Sequence, residues 1–567
     1  MITRRRILIV IFSALLASCT SLTTQQPSTG VAAIAMPDHF SADVAQAVLE
    51  DGGNAIDAAV AAAFTLAVTY PEAGNIGGGG FMLIKTQAAA ELVDYREVAP
   101  AAASRDMYLD AQGEVIENAS LIGAKASGVP GTVAGLWAAH QRHGKLPWAE
   151  LLTPAIALAA EGFVMPAHLA DRIAEEAPGY AGVTNFAAYF SEARAGNRFK
   201  QPELATTLQR IADHGADGFY RGDTAEMVAA HMANTNGLID ASDLAAYQPV
   251  WREPLRVQWR KYEILSAPLP SSGGFAVIQL LKMKDFLDDK FASVAHNSPQ
   301  YIHLVAEMEK RVFADRAEYL GDPAFVNAPM AKLIDNDYIR SRAAEVNPTT
   351  ISTLDTVRPG LKEGHSTTHF SIIDKEGNAV SNTYTLNTWF GSGTVVEGAG
   401  FLLNNEMDDF SVKPGVTNFY GVVGHSANAI APNKRMLSSM SPTILLRDGG
   451  VEVVVGSPGG STIFTSVFQS IINVADFGMS AQDAVSASRF HHQLLPPDLV
   501  TFSVTRPLPD ATVEALSERG YNATPHPWEF GDVQLIWRKR EGFDTGADPR
   551  GRGVARELTN TSVGKGS

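Results

Sequence analysis

Apolar residues recur at four-residue spacing in an alanine-rich stretch near the beginning of the chain. The repeating positions are Val44, Val48, Ile56, Val60 and Phe64. This period places them on one face of a helix, so the stretch predicts one or two buried helices. Tyr70-Pro71 ends the pattern, because proline lacks the backbone N–H that a helix interior uses.

A glycine run follows the predicted helices. Residues 77–80 are all glycine, and residues 82–84 continue as an apolar strand. No Gly-Lys-Ser or Gly-Lys-Thr follows the run, which argues against a P-loop. We therefore expect the glycines to allow close packing of backbones or to leave room for a substrate.

The middle of the chain, residues 125–350, has a mostly helical pattern with proline and glycine at the breaks. Leu304, Met308 and Val312 form one apolar stripe among charged residues. Such a stripe is typical of a surface helix that packs by one face. Residues 347–365 are polar with few large apolar side chains, as expected of an exposed linker.

Short strands dominate the pattern after residue 366. Residues 367–373 and 379–385 predict two strands joined by a turn at residues 374–378, so Thr367 begins the first strand of a hairpin. A second hairpin is predicted within residues 441–455, and a helix follows it. The last dozen or so residues are rich in glycine, and we predict that they are disordered.

The N-terminus carries a targeting signal. Three arginines at residues 4–6 precede an apolar run at residues 7–17 that is too short for an ordinary membrane helix. This is the pattern of a secretory signal peptide. It ends in Leu16-Ala17-Ser18-Cys19, which resembles the bacterial lipoprotein box, where the cysteine becomes the lipid-bearing first residue.

We therefore predict a signal peptide at residues 1–18, lipidation at Cys19 and a flexible tether at residues 19–30. Because Thr20 rather than aspartate follows Cys19, the resemblance implies the bacterial outer membrane, on its periplasmic side. The alternative is an ordinary secreted protein with an incidental cysteine. Cys19 is the only cysteine in the chain, so no disulfide can form within it.

The chain is acidic. It has 45 Lys and Arg residues against 61 Asp and Glu residues, for a net charge of −16 at pH 7. Nucleic-acid binding requires basic patches, so this balance argues against that class of function. The sequence also predicts no transmembrane helix after the signal peptide.

Thr367 is the candidate catalyst. A threonine hydroxyl is a poor nucleophile, but a threonine at a chain N-terminus carries its own base, the free α-amine. Such an amine titrates at about 7.7–8.0, so much of it can accept a proton near neutral pH. An internal threonine gains this amine only by cleavage of the bond before it, here between Ser366 and Thr367. The alternative is an ordinary exposed strand, where Thr-Thr-aromatic runs are common.

Several separated blocks resemble the γ-glutamyltranspeptidase (glutathione hydrolase) family, from about residue 30 to about residue 540. The blocks, in chain order, are Asp94–Pro100, Thr367–His369, Thr383–Asn387, Leu403–Phe410, Pro432–Arg435 with Ser438–Thr443, and Gly456–Ser461. The resemblance implies an α+β fold, the αββα four-layer sandwich of N-terminal-nucleophile hydrolases. It also implies that two self-cleaved pieces form this sandwich jointly, a large subunit at residues 31–366 and a small subunit at residues 367–567.

The resemblance assigns a role to each site residue. Arg96 would bind the α-carboxylate of a γ-glutamyl donor, a task that suits its planar fork. The remaining assignments are Ser438 and Ser439 as further carboxylate contacts, Glu406 and Asp409 as acceptors for the donor's amino group, Asn387 as a contact near the same head, Gly459 and Gly460 as the oxyanion hole, Thr385 as support for the nucleophile, and Tyr420 as the lid aromatic.

The implied activity is hydrolysis and transfer of γ-glutamyl groups without metal or cofactor. Glutathione and other γ-glutamyl compounds would be donors, and water, amino acids or dipeptides would be acceptors. His491-His492 is interpreted as structural, since adjacent histidines do not easily chelate one ion. Two alternatives remain: a cephalosporin or glutaryl acylase with the same nucleophile, and an inactive lipoprotein that only binds γ-glutamyl compounds or a partner.

Overall fold

The structure is a computed structural model that describes residues 30–353, 367–413 and 426–559. Several predicted features therefore lie outside the described residues: the signal peptide at residues 1–18, lipidation at Cys19 and nearly all of the tether, the residue before the predicted cut, Ser366, and the lid residue Tyr420.

Two large antiparallel sheets form the centre of the fold. In chain order the strands are β1 Gly30–Met36, β2 Gly79–Lys85, β3 Ala90–Asp94, β4 Phe163–Val164, β5 Arg198–Phe199, β6 Val250–Arg252, β7 Leu255–Trp259, β8 Tyr262–Ser266, β9 Thr367–Ile373, β10 Ala379–Thr385, β11 Thr443–Arg447, β12 Gly450–Gly456, β13 Phe490–His491, β14 Leu499–Phe502, β15 Asn522–Pro525, β16 Gln534–Arg538, β17 Phe543–Ala547 and β18 Val554–Thr559. One sheet has seven strands in the order β18-β1-β9-β10-β2-β3-β6, and the other has six in the order β17-β16-β12-β11-β8-β7.

Helices cover the outer faces of both sheets. They are α1 His39–Glu50, α2 Ala55–Thr69, α3 Thr132–His143, α4 Trp148–Glu161, α5 Ala167–Tyr180, α6 Phe186–Phe190, α7 Pro202–His214, α8 Asp217–Tyr220, α9 Gly222–Asn234, α10 Ala241–Ala246, α11 Gly273–Phe286, α12 Asp288–Phe291, α13 Pro299–Tyr319, α14 Met330–Leu333, α15 Asn336–Ala344, α16 Thr462–Ala475, α17 Ala481–Ser486 and α18 Asp510–Glu518. Short 3-10 turns occur at Ala124–Ala126, Glu406–Asp409 and Ser426–Asn428. No helix within the described ranges is long and apolar enough to cross a membrane.

Three apolar cores separate four layers. Successive residues of a strand point to opposite faces, so Ile34 of β1 faces the helices while Ala33 faces the second sheet. In β11, Ile444 faces the first sheet while Leu445 packs towards α11, α13 and α16. The layers are therefore helix, sheet, sheet, helix, which confirms the predicted αββα sandwich.

The alanine-rich stretch forms two helices, α1 and α2, as its spacing predicts. Helix α2 begins with a capping box, in which the Asn54 side chain accepts from the Asp57 amide while the Asp57 carboxylate accepts from the Asn54 amide. All of its residues are buried. Asp374, in the turn between β9 and β10, also accepts from the Ala55 amide at 3.0 Å, so this helix end fixes the hairpin that carries Thr367.

The glycine run serves close packing, as one of its two interpretations predicts. A Cβ atom on Gly78 would lie 2.0 Å from the carbonyl oxygen of Thr385, and one on Gly80 would lie 2.4 Å from that of Thr383. Real Cβ atoms do not approach other atoms so closely, so only glycine allows the backbone at these positions to lie against β10.

Helix α13 corrects the expectation of a surface helix. Leu304, Met308 and Val312 are buried, but so are the charged residues between them. Lys310 donates to Glu307 at 2.7 Å, and Arg311 donates to the same carboxylate at 3.0 Å. Buried charges are tolerated when they are paired and hydrogen-bonded, and here the pairing lies within one helix.

Strand β18 corrects the prediction for the end of the chain. Residues 554–559 fall in or beside the glycine-rich segment expected to be disordered, yet they pair with β1 as an edge strand. Their own side chains contribute: Arg556 bonds Gln46 at 2.8 Å, and Leu558 is buried in the helix-facing core. Glycine content alone therefore did not predict this strand.

Both sheets contain strands from each side of residues 354–366. In the seven-stranded sheet, β1 from the first part lies between β18 and β9 from the second part, and β10 pairs with β2. In the six-stranded sheet, β11 pairs with β8. Neither part can keep its sheets without the other.

We therefore predict that a cut between residues 354 and 366 leaves one native particle. A chain with a protease site placed in this segment should elute as a single species after cleavage, because the strand pairing survives. The two fragments should separate only in denaturant. Size-exclusion chromatography of the cut protein checks this, and separate elution under native conditions would contradict the interleaved topology.

Candidate active site

Thr367 is the first residue of β9 and stands opposite Thr385, the last residue of β10. It is buried, with 5 % of its surface exposed. Its hydroxyl donates to the Thr385 hydroxyl at 3.3 Å. The hairpin therefore places the two hydroxyls side by side at the end of two central strands, where rigid elements hold catalytic groups well.

Asn387 connects this pair to the next part of the site. Its amide donates to the Thr385 hydroxyl at 2.8 Å, and its side-chain amide donates to the Asn405 carbonyl at 2.9 Å. The Asn387 φ of +82° lies in the left-handed region, where asparagine is enriched. The turn Glu406–Asp409 follows Asn405 directly, so the nucleophile and the two predicted amine acceptors are joined by a short bonded path.

Arg96 lies just beyond β3 and is fully buried. Its guanidinium forms ion pairs with Glu406 and with Asp409, and it lies 3.5 Å from Glu97. The same group also donates to the carbonyls of Met436 and Leu437 at 3.3 Å each. Three carboxylates thus surround one buried guanidinium, and Asp409 keeps 18 % of its side chain exposed.

The three carboxylates share the Arg96 guanidinium, and Arg316 acts on Asp409 as a second cation. Burial raises the pKa of Glu406 and of Asp409, and raises that of Glu97 to about 8, with Arg96 acting in the opposite direction on each. Burial lowers the pKa of Arg96, but the three carboxylates outweigh this effect and the net change is upward. The guanidinium stays charged while the acids compete for it. A further cation placed here would relieve the excess of acid.

Ser438 and Ser439 follow the two carbonyls that contact Arg96, which places them beside the cluster. The Ser438 amide donates to the Pro270 carbonyl at 2.8 Å, and its own carbonyl accepts from the Ser272 hydroxyl at 2.7 Å. Arg316 donates to the Ser439 hydroxyl at 3.1 Å. These bonds anchor Ser438 to the segment before α11 and Ser439 to α13.

Gly459 and Gly460 form the turn between β12 and α16. Their φ angles are +131° and +56°, which other residues rarely adopt. The Thr462 hydroxyl donates to the Gly459 carbonyl at 2.7 Å, which fixes the orientation of the turn. Within the described chain neither glycine N–H donates to a protein acceptor. Unpaired N–H groups ahead of a helix suit an oxyanion.

A cavity of about 460 Å³ reaches both the nucleophile and this turn. Its lining is Tyr70, Glu72, His168, Arg172, Thr367, Trp389, Pro458, Gly459, Glu529, Phe530, Gly531, Asp532, Arg550, Gly551 and Arg552. The volume is typical of a small-molecule site. A larger cavity of about 580 Å³, lined by Arg260, Asp476 and their neighbours, contains none of the predicted site residues.

The structure places Thr367 and Gly459 on one cavity, and it places Arg96 against Glu406 and Asp409, which do not line that cavity. Sequence reasoning considered Glu97 only as a structural ion-pair partner of Arg96, and it did not identify Arg316. Glu97 stands in the Asp94–Pro100 block and could have been considered as a third acid. Arg316 had no signal, since it comes from α13 and meets Ser439 only through tertiary packing. In the described part of the chain, no group of three His, Cys, Asp or Glu side chains has metal-binding geometry.

Comparison with known proteins gives a consistent result. The profile of the Gamma-glutamyltranspeptidase family matches residues 41–558. The chain is 58% identical to a glutathione hydrolase proenzyme of Pseudomonas aeruginosa over 522 residues, covering 92% of this chain and 94% of that protein. It is 43% identical to the glutathione hydrolase proenzyme of Escherichia coli over 529 residues, covering 91% and 90%.

Among solved structures, a gamma-glutamyltranspeptidase from Pseudomonas nitroreducens complexed with L-DON is 56% identical, with a TM-score of 0.56, covering 57% of this chain and 96% of that chain. A cephalosporin acylase from Bacillus halodurans is 25% identical, with a TM-score of 0.79, covering 96% and 99%. Taken with the Thr367 hairpin and the Arg96 cluster, these matches show that the chain belongs to the γ-glutamyltranspeptidase family.

Proposed function

We propose that this chain is a self-processing glutathione hydrolase and γ-glutamyltransferase whose nucleophile is Thr367. The observation that carries the proposal is the position of Thr367. It begins β9, bonds Thr385, and shares one cavity with Gly459. Because Thr367 is the first residue of β9, a cut before it would create a new N-terminus without breaking any strand pairing.

The reaction has two balanced steps. In the first, the α-amine of Thr367 takes the hydroxyl proton while the oxygen attacks the γ-amide carbon of the donor. The N–H groups of Gly459 and Gly460 stabilise the oxyanion. The intermediate collapses, the C–N bond breaks, and the amine leaves with the proton, so a γ-glutamyl ester remains on Thr367.

In the second step, water or the amine of an amino acid or peptide attacks the ester. The α-amine of Thr367 accepts the proton of the attacking group and returns it to the hydroxyl as the ester bond breaks. The products are glutamate or a new γ-glutamyl amide, together with free Thr367. Every group these steps use belongs to this chain or to the two substrates.

Donor recognition follows from the acidic cluster around Arg96. The donor's α-carboxylate would bond the Arg96 guanidinium, and its α-ammonium would lie between Glu406 and Asp409. The ammonium adds a further cation to the three acids. A glutaryl donor has no such cation, so the cluster favours γ-glutamyl over glutaryl substrates. This argues against the acylase alternative, although an acylase proenzyme from a Pseudomonas species is 36% identical over 537 residues.

The first prediction of this proposal concerns processing. Purified protein should separate in denaturant into one fragment that ends at Ser366 and one that starts at Thr367. Thr367→Ala should stay intact and inactive, because it lacks the attacking hydroxyl. Intact-mass measurement and N-terminal sequencing check both. A different first residue in the smaller fragment would sink the assignment, and an uncut wild-type chain would favour the binding lipoprotein.

The second prediction concerns the donor's amino group. Asp409→Asn removes the charge that would bond the ammonium but keeps an oxygen acceptor. Losing a charge-assisted bond costs roughly 1.5–3 kcal/mol, or about ten- to a hundredfold in kcat/KM. We expect that loss for a γ-glutamyl anilide and a much smaller one for a glutaryl anilide, measured on correctly processed protein.

Arg96→Lys serves as the matched comparison for that experiment. It keeps the charge but loses the fork that bonds the carboxylate common to both donors, so both anilides should suffer. Equal losses on the two donors with Asp409→Asn would show that Asp409 does not bind the amino group. That result would reopen the acylase alternative.

We also propose that Cys19 anchors the protein to the outer membrane. The support is the sequence Leu16-Ala17-Ser18-Cys19 after an apolar signal segment. Cys19→Ser should release the protein from the membrane fraction while its hydrolytic activity persists, as cell fractionation and activity assays would show. A wild-type protein already free in the periplasm would contradict the anchor.

A further inference from the structure

His491 contacts the helix that follows the oxyanion turn. Its ring lies in β13 and is buried. Its Nε2 atom is 2.8 Å from the Gln493 Oε1 atom and 3.3 Å from the Ser461 hydroxyl. Its Nδ1 atom is 3.1 Å from the Thr465 hydroxyl. The ring therefore contacts Ser461, which is the N-cap of α16, and Thr465 within α16. It also contacts Gln493 in its own segment.

These contacts define one arrangement of hydrogen atoms. An amide oxygen only accepts, so the ring donates its Nε2–H to Gln493. The bare Nδ1 atom lies 3.1 Å from the Thr465 hydroxyl oxygen, while that hydroxyl donates its proton to the Thr462 carbonyl at 3.0 Å. The Ser461 hydroxyl donates to the same Gln493 oxygen at 3.0 Å. Burial lowers the pKa of His491 to about 3, so the neutral ring keeps this pattern at the pH of any assay.

Ser461 follows Gly460 directly and precedes the first residue of α16. A serine at this position commonly caps its own helix, but the Ser461 side chain makes no such bond and points to His491 and Gln493 instead. Thr465 is four residues further, on the same face of the helix. The His491 ring thus holds the first turn of α16, and the position of Gly459 and Gly460 depends on that turn.

We propose that His491 is a positioning residue that holds the Gly459-Gly460 turn in the geometry required to stabilise the oxyanion. The inference rests on the proposed function, because it takes those two N–H groups as the oxyanion donors. Its substance is that the ring acts through Ser461 and Thr465 and never touches the substrate. Displacement of catalytic groups by about 1 Å can cost about a hundredfold in rate.

The test compares His491 with its neighbour His492. Both rings are buried and both have a pKa lowered to about 3 by burial. The His492 ring bonds the Leu499 carbonyl, and within the described residues no bond from it to α16 is found. His491→Leu and His492→Leu therefore remove equally buried imidazoles, but only the first releases the oxyanion turn.

We expect His491→Leu to lower kcat by about ten- to a hundredfold with the donor KM within about twofold of wild type. His492→Leu should lower Tm to a similar extent but keep its kcat. His491→Gln can replace the Nε2–H donor and should recover part of the lost kcat. Rates are normalised to the fraction of processed chain, on whichever of the γ-glutamyl or glutaryl anilides the wild type hydrolyses.

Ser461→Ala provides a second route to the same conclusion. It should lower kcat by itself, and in combination with His491→Leu the two losses should fall well short of adding, because they act through one contact. Equal losses of kcat at His491 and His492, or additive losses with Ser461→Ala, would overturn the inference.

The proposed function fails in a different way. Wild-type protein that hydrolyses only the glutaryl anilide would contradict the γ-glutamyl assignment, while the comparison of His491 with His492 would still decide the positioning role. Correctly processed wild-type protein that hydrolyses neither anilide would overturn both.

Discussion

Strand β9 pairs with β1 on one side and β10 on the other, and this pairing determines where Thr367 stands. Thr367 itself pairs with Thr385 of β10, while β1 pairs with residues 371–373 further along β9, so the hairpin directs the hydroxyl and β1 holds the hairpin. The same pairing binds the part of the chain before residue 354 to the part after residue 366. Catalytic geometry and the association of the two parts therefore depend on one set of backbone bonds.

In the proposed donor pocket, recognition would rest on the acidic groups around Arg96. A buried arginine paired with one carboxylate would be neutral and would bind a zwitterion weakly. Here Arg96 meets Glu97, Glu406 and Asp409, and burial raises the pKa of all three acids. These acids share Arg96, and under the proposed function a ligand with both an ammonium and a carboxylate would complement the cluster. Such a pocket would select its ligand by charge as well as by shape.

Buried polar groups recur wherever the structure fixes a functional segment. Glu307 on α13 accepts from the Ser352 amide at 3.0 Å, so a fully buried carboxylate fixes the chain just before residues 354–366. His491 holds the helix after the oxyanion turn by the same principle. In each case an unpaired buried group would be costly, so the arrangement has few alternatives. Precision at the site is achieved by satisfied hydrogen bonds away from the substrate.

The sequence by itself determined the local elements and the chemistry. Helical spacing around Val60, the hairpin that Thr367 begins, and the blocks that carry Arg96 and Asp409 were all legible, because each depends on neighbours in the chain. Tertiary structure alone decided which faces are buried. Leu304, Met308 and Val312 have the pattern of a surface stripe, yet Glu307 pairs with Lys310 and Arg311 within α13 and the helix is buried. The sequence around residues 554–559 resembles a disordered chain end, yet these residues form an edge strand that pairs with β1. Arg316 and His491 reach the site only because distant segments pack together, and a linear pattern carries no record of such contacts.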